Sequence, residues 1–312
     1  MPMPPTVAAS STPLATATAT LAPTPAPPAA SPTEAPRAVP AVADGTPATV
    51  GDLADPALPS EDAQSLDHFL FVGRPVPPHA SVTPAASYRY GSTYEGRYDT
   101  HHGVEFENPA GTQLIAVAPA TVFWAGDDSA TVFGTFPNFY GNLVVLRLDE
   151  HWQGHTVYAL YGHMLAVSAE AGQTVTTGDL LGYIGSSGIA RGPHLHLEAR
   201  LDNPTDYNST RNPELWLAPL PGTGIIAGRV IDSRGKPIPD ARVDIKCADG
   251  RFRFADTYHD DTVAPDDNYH ENFALGDVPA GLCQLSVDYI SGTVKRLVMV
   301  NGAATTFIVL QP

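Results

Sequence analysis

GPHLHLEAR, residues 192–200, is the stretch on which the reading of this chain turns. In a β-strand, side chains alternate between two faces, so His194 and His196 point the same way. Two imidazoles on one face also describe an ordinary surface pair, so the partners supplied by the rest of the chain decide. The neighbouring sequence supports the strand. TQLIAVA, ATVFWAG, NLVVLRL, HTVYALYGHM and DLLGYIG are rich in Val, Ile, Leu, Tyr and Thr, with Gly, Pro, Asn and Asp between the runs. No ten-residue stretch in this block has a helical period. Residues 85–217 therefore read as an all-β, mostly antiparallel domain.

Outside this block the chain divides by composition. Residues 1–60 are Pro, Ala, Thr and Ser with few large apolar groups, a composition that predicts a disordered, extended spacer. The start lacks the basic segment and continuous apolar core of a signal peptide. Residues 61–84 contain one apolar cluster, SLDHFLFVGRPV, expected to dock on the domain that follows. Residues 218–312 hold short alternating strands separated by turns, the pattern of a small β-sandwich. The acidic stretch DTYHDDTVAPDDNYHENF, residues 256–273, reads as a solvated loop, since it lacks the spacing of a calcium-binding hand.

The totals narrow the function classes. The 312 residues allow about two domains, and an apolar share of 43% suits a real core. A formal net charge of −16 argues against nucleic acid as a partner. No apolar run is long enough to span a bilayer. Cys247 and Cys283 are the two cysteines; one disulfide and two buried thiols are both open, and neither suits a Cys-based metal site.

Partners for the histidines lie upstream, in THHGVEFENPAGTQLIAVA. His101 and Glu105 are four apart, with a glycine and β-branched or aromatic residues between them that oppose a helix. On a flat strand they would be roughly 13 Å apart, at about 3.3 Å per residue. One ion needs each donor within about 2.0–2.2 Å, so shared ligation requires a bend, which Gly103 permits, with His102 pointing elsewhere. His163 ends the apolar, aromatic run YALYGHM, an odd place for an imidazole unless it lines a cleft. Singly, each of these is an ordinary surface or strand-end residue; together in one domain they suit a zinc site, with spare imidazoles for proton transfer. Ser186 lacks the flanking glycines of a nucleophile elbow. The residues themselves leave open which of His194 and His196 binds metal.

HHGVEFENPAGTQLIAVAPATVFWAG, NLVVLRLDEHWQGHTVYALYGHM and AGQTVTTGDLLGYIGSSGIARGPHLHLEAR together resemble the lysostaphin-type zinc metallopeptidases of bacterial cell walls, from Tyr98 to Leu217. The resemblance implies one zinc ion held by His101, Glu105 and His196, with His163 and His194 as catalytic histidines flanking the reacting water. It implies an endopeptidase acting on peptidoglycan peptides, outside the cell or in its envelope, with no separate organic cofactor. Glu105 stands where the family usually has aspartate. Some relatives have lost ligands and activate other wall hydrolases instead, the alternative reading; here every donor type is present. Residues 218–312 resemble the regulatory-type β-sandwich appended to carboxypeptidases.

Overall fold

Nine strands join in one sheet, and their alternation explains which side chains meet. They are β1 Val104–Glu107, β2 Gln113–Ile115, β3 Ala120–Asp127, β4 Asn142–Trp152, β5 His155–Val167, β6 Thr174–Val175, β7 Leu180–Ile184, β8 His194–Leu201 and β9 Thr210–Arg211. The main path runs β1-β8-β5-β4-β3-β6; β7 pairs with β2 and β5, and β9 pairs with β8. All of these pairings are antiparallel. The computed structural model describes residues 67–259 and 263–312. The expected spacer 1–60 and the first residues of the docking segment lie outside them. The described residues contain no α-helix, only single 3-10 turns such as Tyr207–Ser209 and Pro213–Leu215. No helix among them is long and apolar enough to cross a membrane.

β2, β3, β4, β5, β7 and β8 stand where the runs rich in Val, Ile, Leu, Tyr and Thr predict strands. β4 and β5 form a hairpin in which Trp152 faces His155, and the two turn residues, Gln153 and Gly154, both take positive φ. That geometry matches the strand twist in two-residue hairpins. One face of the sheet is apolar: Val104, Phe106, Leu114, Val144, Leu146, Tyr161, Leu195 and Leu197 are wholly buried in one core. At about 25 cal/mol per Å² of apolar surface removed from water, this core is the main stabilising term.

Residues beyond 222 form two further sheets. β10 Thr223–Val230, β13 Phe273–Pro279 and β16 Thr305–Leu310 make one; β11 Arg242–Cys247, β12 Phe252–Asp256, β14 Gly281–Tyr289 and β15 Gly292–Val300 make the other. β10 and β16 pair in parallel, an exception to the antiparallel pattern. Ile226, Phe273 and Leu275 from the first sheet and Val243, Ile245, Leu285 and Val287 from the second share one core. Cys247 and Cys283 face each other across β11 and β14 and are joined by a disulfide.

The segment before β1 ties these parts together. Phe71 donates its backbone N–H to Trp216 and accepts from Ala218, at 2.9 and 3.0 Å. Arg74 bonds Ala218 O and Asp277, and Arg89 clasps Glu214, whose Oε2 also accepts from Gly276 N. His68 packs between Trp152 and Trp216 and lies 3.2 Å from Asp266.

Residues 256–273 correct one expectation. Tyr258, Asp266 and Glu271 are fully or almost fully buried, so the described residues of this stretch, 256–259 and 263–273, form a packed connection and not a solvated loop. Asp266 closes a local turn by accepting from Asn268 N and Tyr269 N. Glu271 accepts from the Tyr258 hydroxyl and from Asp266 N.

Burial lifts the Glu271 carboxyl from 4.5 to about 8. The folded chain then keeps a proton that the unfolded chain releases. This contribution to stability is full below about pH 4.5 and is lost as pH rises to about 8. Urea unfolding at pH 5 and pH 8 should show a smaller loss of stability for Glu271→Gln than for the wild type. Equal losses would refute the assignment.

Candidate active site

The register of β1 against β8 builds the site. Val104 faces Leu197, Glu105 faces His196, Phe106 faces Leu195 and Glu107 faces His194. Since the leucines, Val104 and Phe106 fill the core, Glu105, His194 and His196 must project from the opposite face. On the other side of β8, His196 faces Gly162 of β5.

His101 reaches the same place because the chain bends at residues 102 and 103, just before β1. Its backbone is pinned to the loop before it: His101 N donates to Ser92 O and Gly91 N donates to His101 O. The Tyr88 ring stacks on the His101 ring at 4.0 Å. His102 points away, stacks on Tyr207 and sets Nδ1 3.0 Å from Tyr207 O. The expected bend is present, but Gly103 serves it by close approach and not by positive φ. A Cβ there would lie 2.6 Å from Leu197 O and 2.7 Å from His196 Nε2.

Three donor atoms converge. His101 Nε2 lies 2.8 Å from Glu105 Oε1, His196 Nδ1 lies 3.1 Å from the same oxygen, and the two nitrogens are 3.1 Å apart. Ligands about 2.0–2.1 Å from a tetrahedral zinc are about 3.3 Å apart, so the triangle fits such an ion. These three residues are a group able to hold a metal ion. All are at least nine-tenths buried. Burial disfavours the Glu105 charge, but His196 and the hydrogen bonds from His101, His194 and His196 hold its carboxyl well below the usual range. Burial likewise opposes a charge on His196, but Glu105 and Glu198 lift its pKa to about 9. Burial lowers that of His101.

His163 and His194 flank the triangle, their rings 4.9 Å apart. His163 sits at φ +62 within β5, a left-handed conformation costly for a non-glycine residue and a feature of functional sites. Its Nδ1 lies 2.8 Å from Ser187 O, so Nδ1–H donates there and Nε2 is left as the acceptor. Burial lowers its pKa to about 4. His194 places Nδ1 2.8 Å from Gly192 O and Nε2 2.9 Å from Glu105 Oε2. Burial opposes its charge, but Glu105 outweighs burial and raises the pKa. Ser187 is a structural residue: its Oγ donates to Met164 O and accepts from Asn142 N.

Three further residues escaped the sequence reading. Glu198, Arg200 and Tyr140 lie beneath His196, all fully buried. For Glu198 and Arg200 the signal was the alternation itself: in HLHLEAR they continue the face that carries His194 and His196.

With this geometry in hand, the similarity to known proteins is specific. The sequence model of Peptidase family M23 matches residues 99–209, and this part of the chain is a domain of that family. The DD-carboxypeptidase/endopeptidase Mpg of Neisseria meningitidis is 35% identical over 102 residues, 33% of this chain and 20% of that protein. The peptidoglycan DD-endopeptidase ShyA of Vibrio cholerae is 31% identical over 102 residues, again 33% and 20%. The chain thus spans about a fifth of the length of these curated relatives. The catalytic domain of lysostaphin from Staphylococcus simulans superposes with a TM-score of 0.35 at 24% identity, covering 42% of this chain and 89% of that one.

Gly103→Ala should force apart β1 and the His196 ring. The expected loss is about 1–3 kcal/mol, the usual range for overpacking, read as a lower urea midpoint. An unchanged midpoint would contradict the close approach.

Proposed function

We propose that the chain is a zinc-dependent endopeptidase that cleaves peptide bonds in bacterial peptidoglycan. The observation that carries this reading is the triangle of His101 Nε2, Glu105 Oε1 and His196 Nδ1, no side longer than 3.1 Å, with two more imidazoles beside it. Two imidazoles and one carboxylate are a donor set that catalytic zinc favours. Glu105 fits in place of the shorter aspartate, because its carboxylate already touches His101, His194 and His196.

When bound, zinc supplies Lewis-acid polarisation of the scissile carbonyl and acidifies water. His163 is neutral at pH 7, and its Nε2 is the acceptor for the water proton. His194, anchored through Nδ1, presents Nε2 beside Glu105, and in its protonated form would donate to the developing oxyanion or the leaving amine. The relatives' names supply the substrate class, peptidoglycan. The Cys247–Cys283 disulfide suits an oxidising compartment, in keeping with the cell envelope or exterior. On this reading residues 218–312 are an accessory β-sandwich of the regulatory type and residues 85–217 the catalytic domain.

Purified peptidoglycan incubated with the full chain should release peptide fragments, stop doing so with chelator and resume on zinc addition. His196→Ala should lose both zinc and activity. His163→Ala should keep one zinc per chain while kcat falls about 10²–10⁴-fold, the usual contribution of a general acid–base group. A zinc-loaded wild type that cleaves no wall peptide would instead support the non-catalytic, regulatory alternative.

A further inference from the structure

We propose that Glu198 is a positioning residue: it holds the proton of His196 on Nε2 and so turns Nδ1 into the metal donor. This deepens the zinc reading given above and rests on it. Glu198 Oε1 lies 2.9 Å from His196 Nε2, on the side of the ring away from Glu105. An ionised carboxylate only accepts hydrogen bonds, so a ring facing it with Nε2 places its hydrogen there. The lone pair available to an ion is then on Nδ1, the nitrogen 3.1 Å from both Glu105 Oε1 and His101 Nε2. A partner on the remote nitrogen fixes both tautomer and ring orientation of a metal-binding histidine.

The surroundings of Glu198 hold it in that position. Its other oxygen accepts from Arg200 Nε at 2.6 Å, and the Tyr140 hydroxyl donates to Oε1. Arg200 is itself fixed on every nitrogen: Nη1 donates to Phe133 O at 2.9 Å and Pro204 O at 2.7 Å, and Nη2 to the Tyr140 hydroxyl at 2.9 Å. Glu198 and Arg200 are both 0% exposed. A buried ion pair of this kind is seldom more stabilising than apolar residues of the same volume. The apolar cluster of Phe133, Leu143, Val145 and Leu160 adjoins it, so an apolar filling was available to this fold. A role in stability alone leaves the choice of charged residues unexplained; a role in orienting His196 accounts for it.

Glu198→Gln tests the idea, because glutamine has the same shape but can present its NH₂ group to Nε2 and favour the tautomer with the proton on Nδ1. Zinc affinity, measured with Zn²⁺ alone against a competing chelator, should fall about 10–100-fold, the usual effect of losing such an outer partner. Because the variant leaves Arg200 without a counter-charge, a second measurement needs no variant. The long-range ¹H–¹⁵N spectrum of the zinc-loaded wild type should place the His196 ring proton on Nε2. A ring proton on Nδ1, or a folded Glu198→Gln chain that binds zinc within twofold of the wild type, overturns the role of Glu198 and leaves the metal site standing. A wild type that takes up no zinc overturns the metal reading, and this inference with it.

Discussion

The antiparallel register between β1 and β8 is the constraint from which the site follows. Once Val104, Phe106, Leu195 and Leu197 occupy the core, Glu105 and His196 become direct cross-strand partners on the opposite face. A slip of one residue would send the carboxylate into the core and a leucine into the cleft. The hydrophobic burial that selects the register therefore also assembles the donors. His101 completes the set through a sharp bend, and the close packing at Gly103 leaves room for the His196 ring and no more.

Several ionisable side chains are buried together at this site. Glu105, His101, His163, His196, Glu198 and Arg200 are all at least nine-tenths buried, yet most of their polar atoms meet a partner of matching chemistry. Such groups are expensive to desolvate and acceptable only when satisfied. Among the described residues His101 Nδ1 is a buried exception without a hydrogen bond, covered by the Tyr88 ring. The strained backbone of His163 belongs to the same picture: a left-handed residue inside β5 lets one imidazole leave the strand's alternation and face the cleft.

Much of this was legible in the sequence, for physical reasons. Runs rich in Val, Ile, Leu, Tyr and Thr with turn residues between them revealed the strands of the first sheet, because such side chains suit a buried, pleated surface. The spacing of His101 and Glu105 demanded a bend, and the chain bends at residues 102 and 103, where the lack of a side chain on Gly103 admits the His196 ring. The alternation places Glu198 and Arg200 on the face of the histidines, but charged residues in a strand ordinarily mean solvent, and their burial follows from the cover that Tyr140 and Phe133 provide. The stretch 256–273 misled for the same reason: its acidic residues suggested exposure, whereas Asp266 and Glu271 satisfy backbone N–H groups inside the fold. The parallel pairing of β10 and β16 joins residues some eighty positions apart, which no local pattern encodes.

Anomalous diffraction at the zinc absorption edge, on crystals of the zinc-loaded chain, tests the account most directly. One strong peak should lie within about 2.0–2.2 Å of His101 Nε2, Glu105 Oε1 and His196 Nδ1 together. A peak elsewhere, or one bound through His196 Nε2 with Glu105 outside its coordination sphere, would contradict the claim that the β1–β8 register builds the metal site.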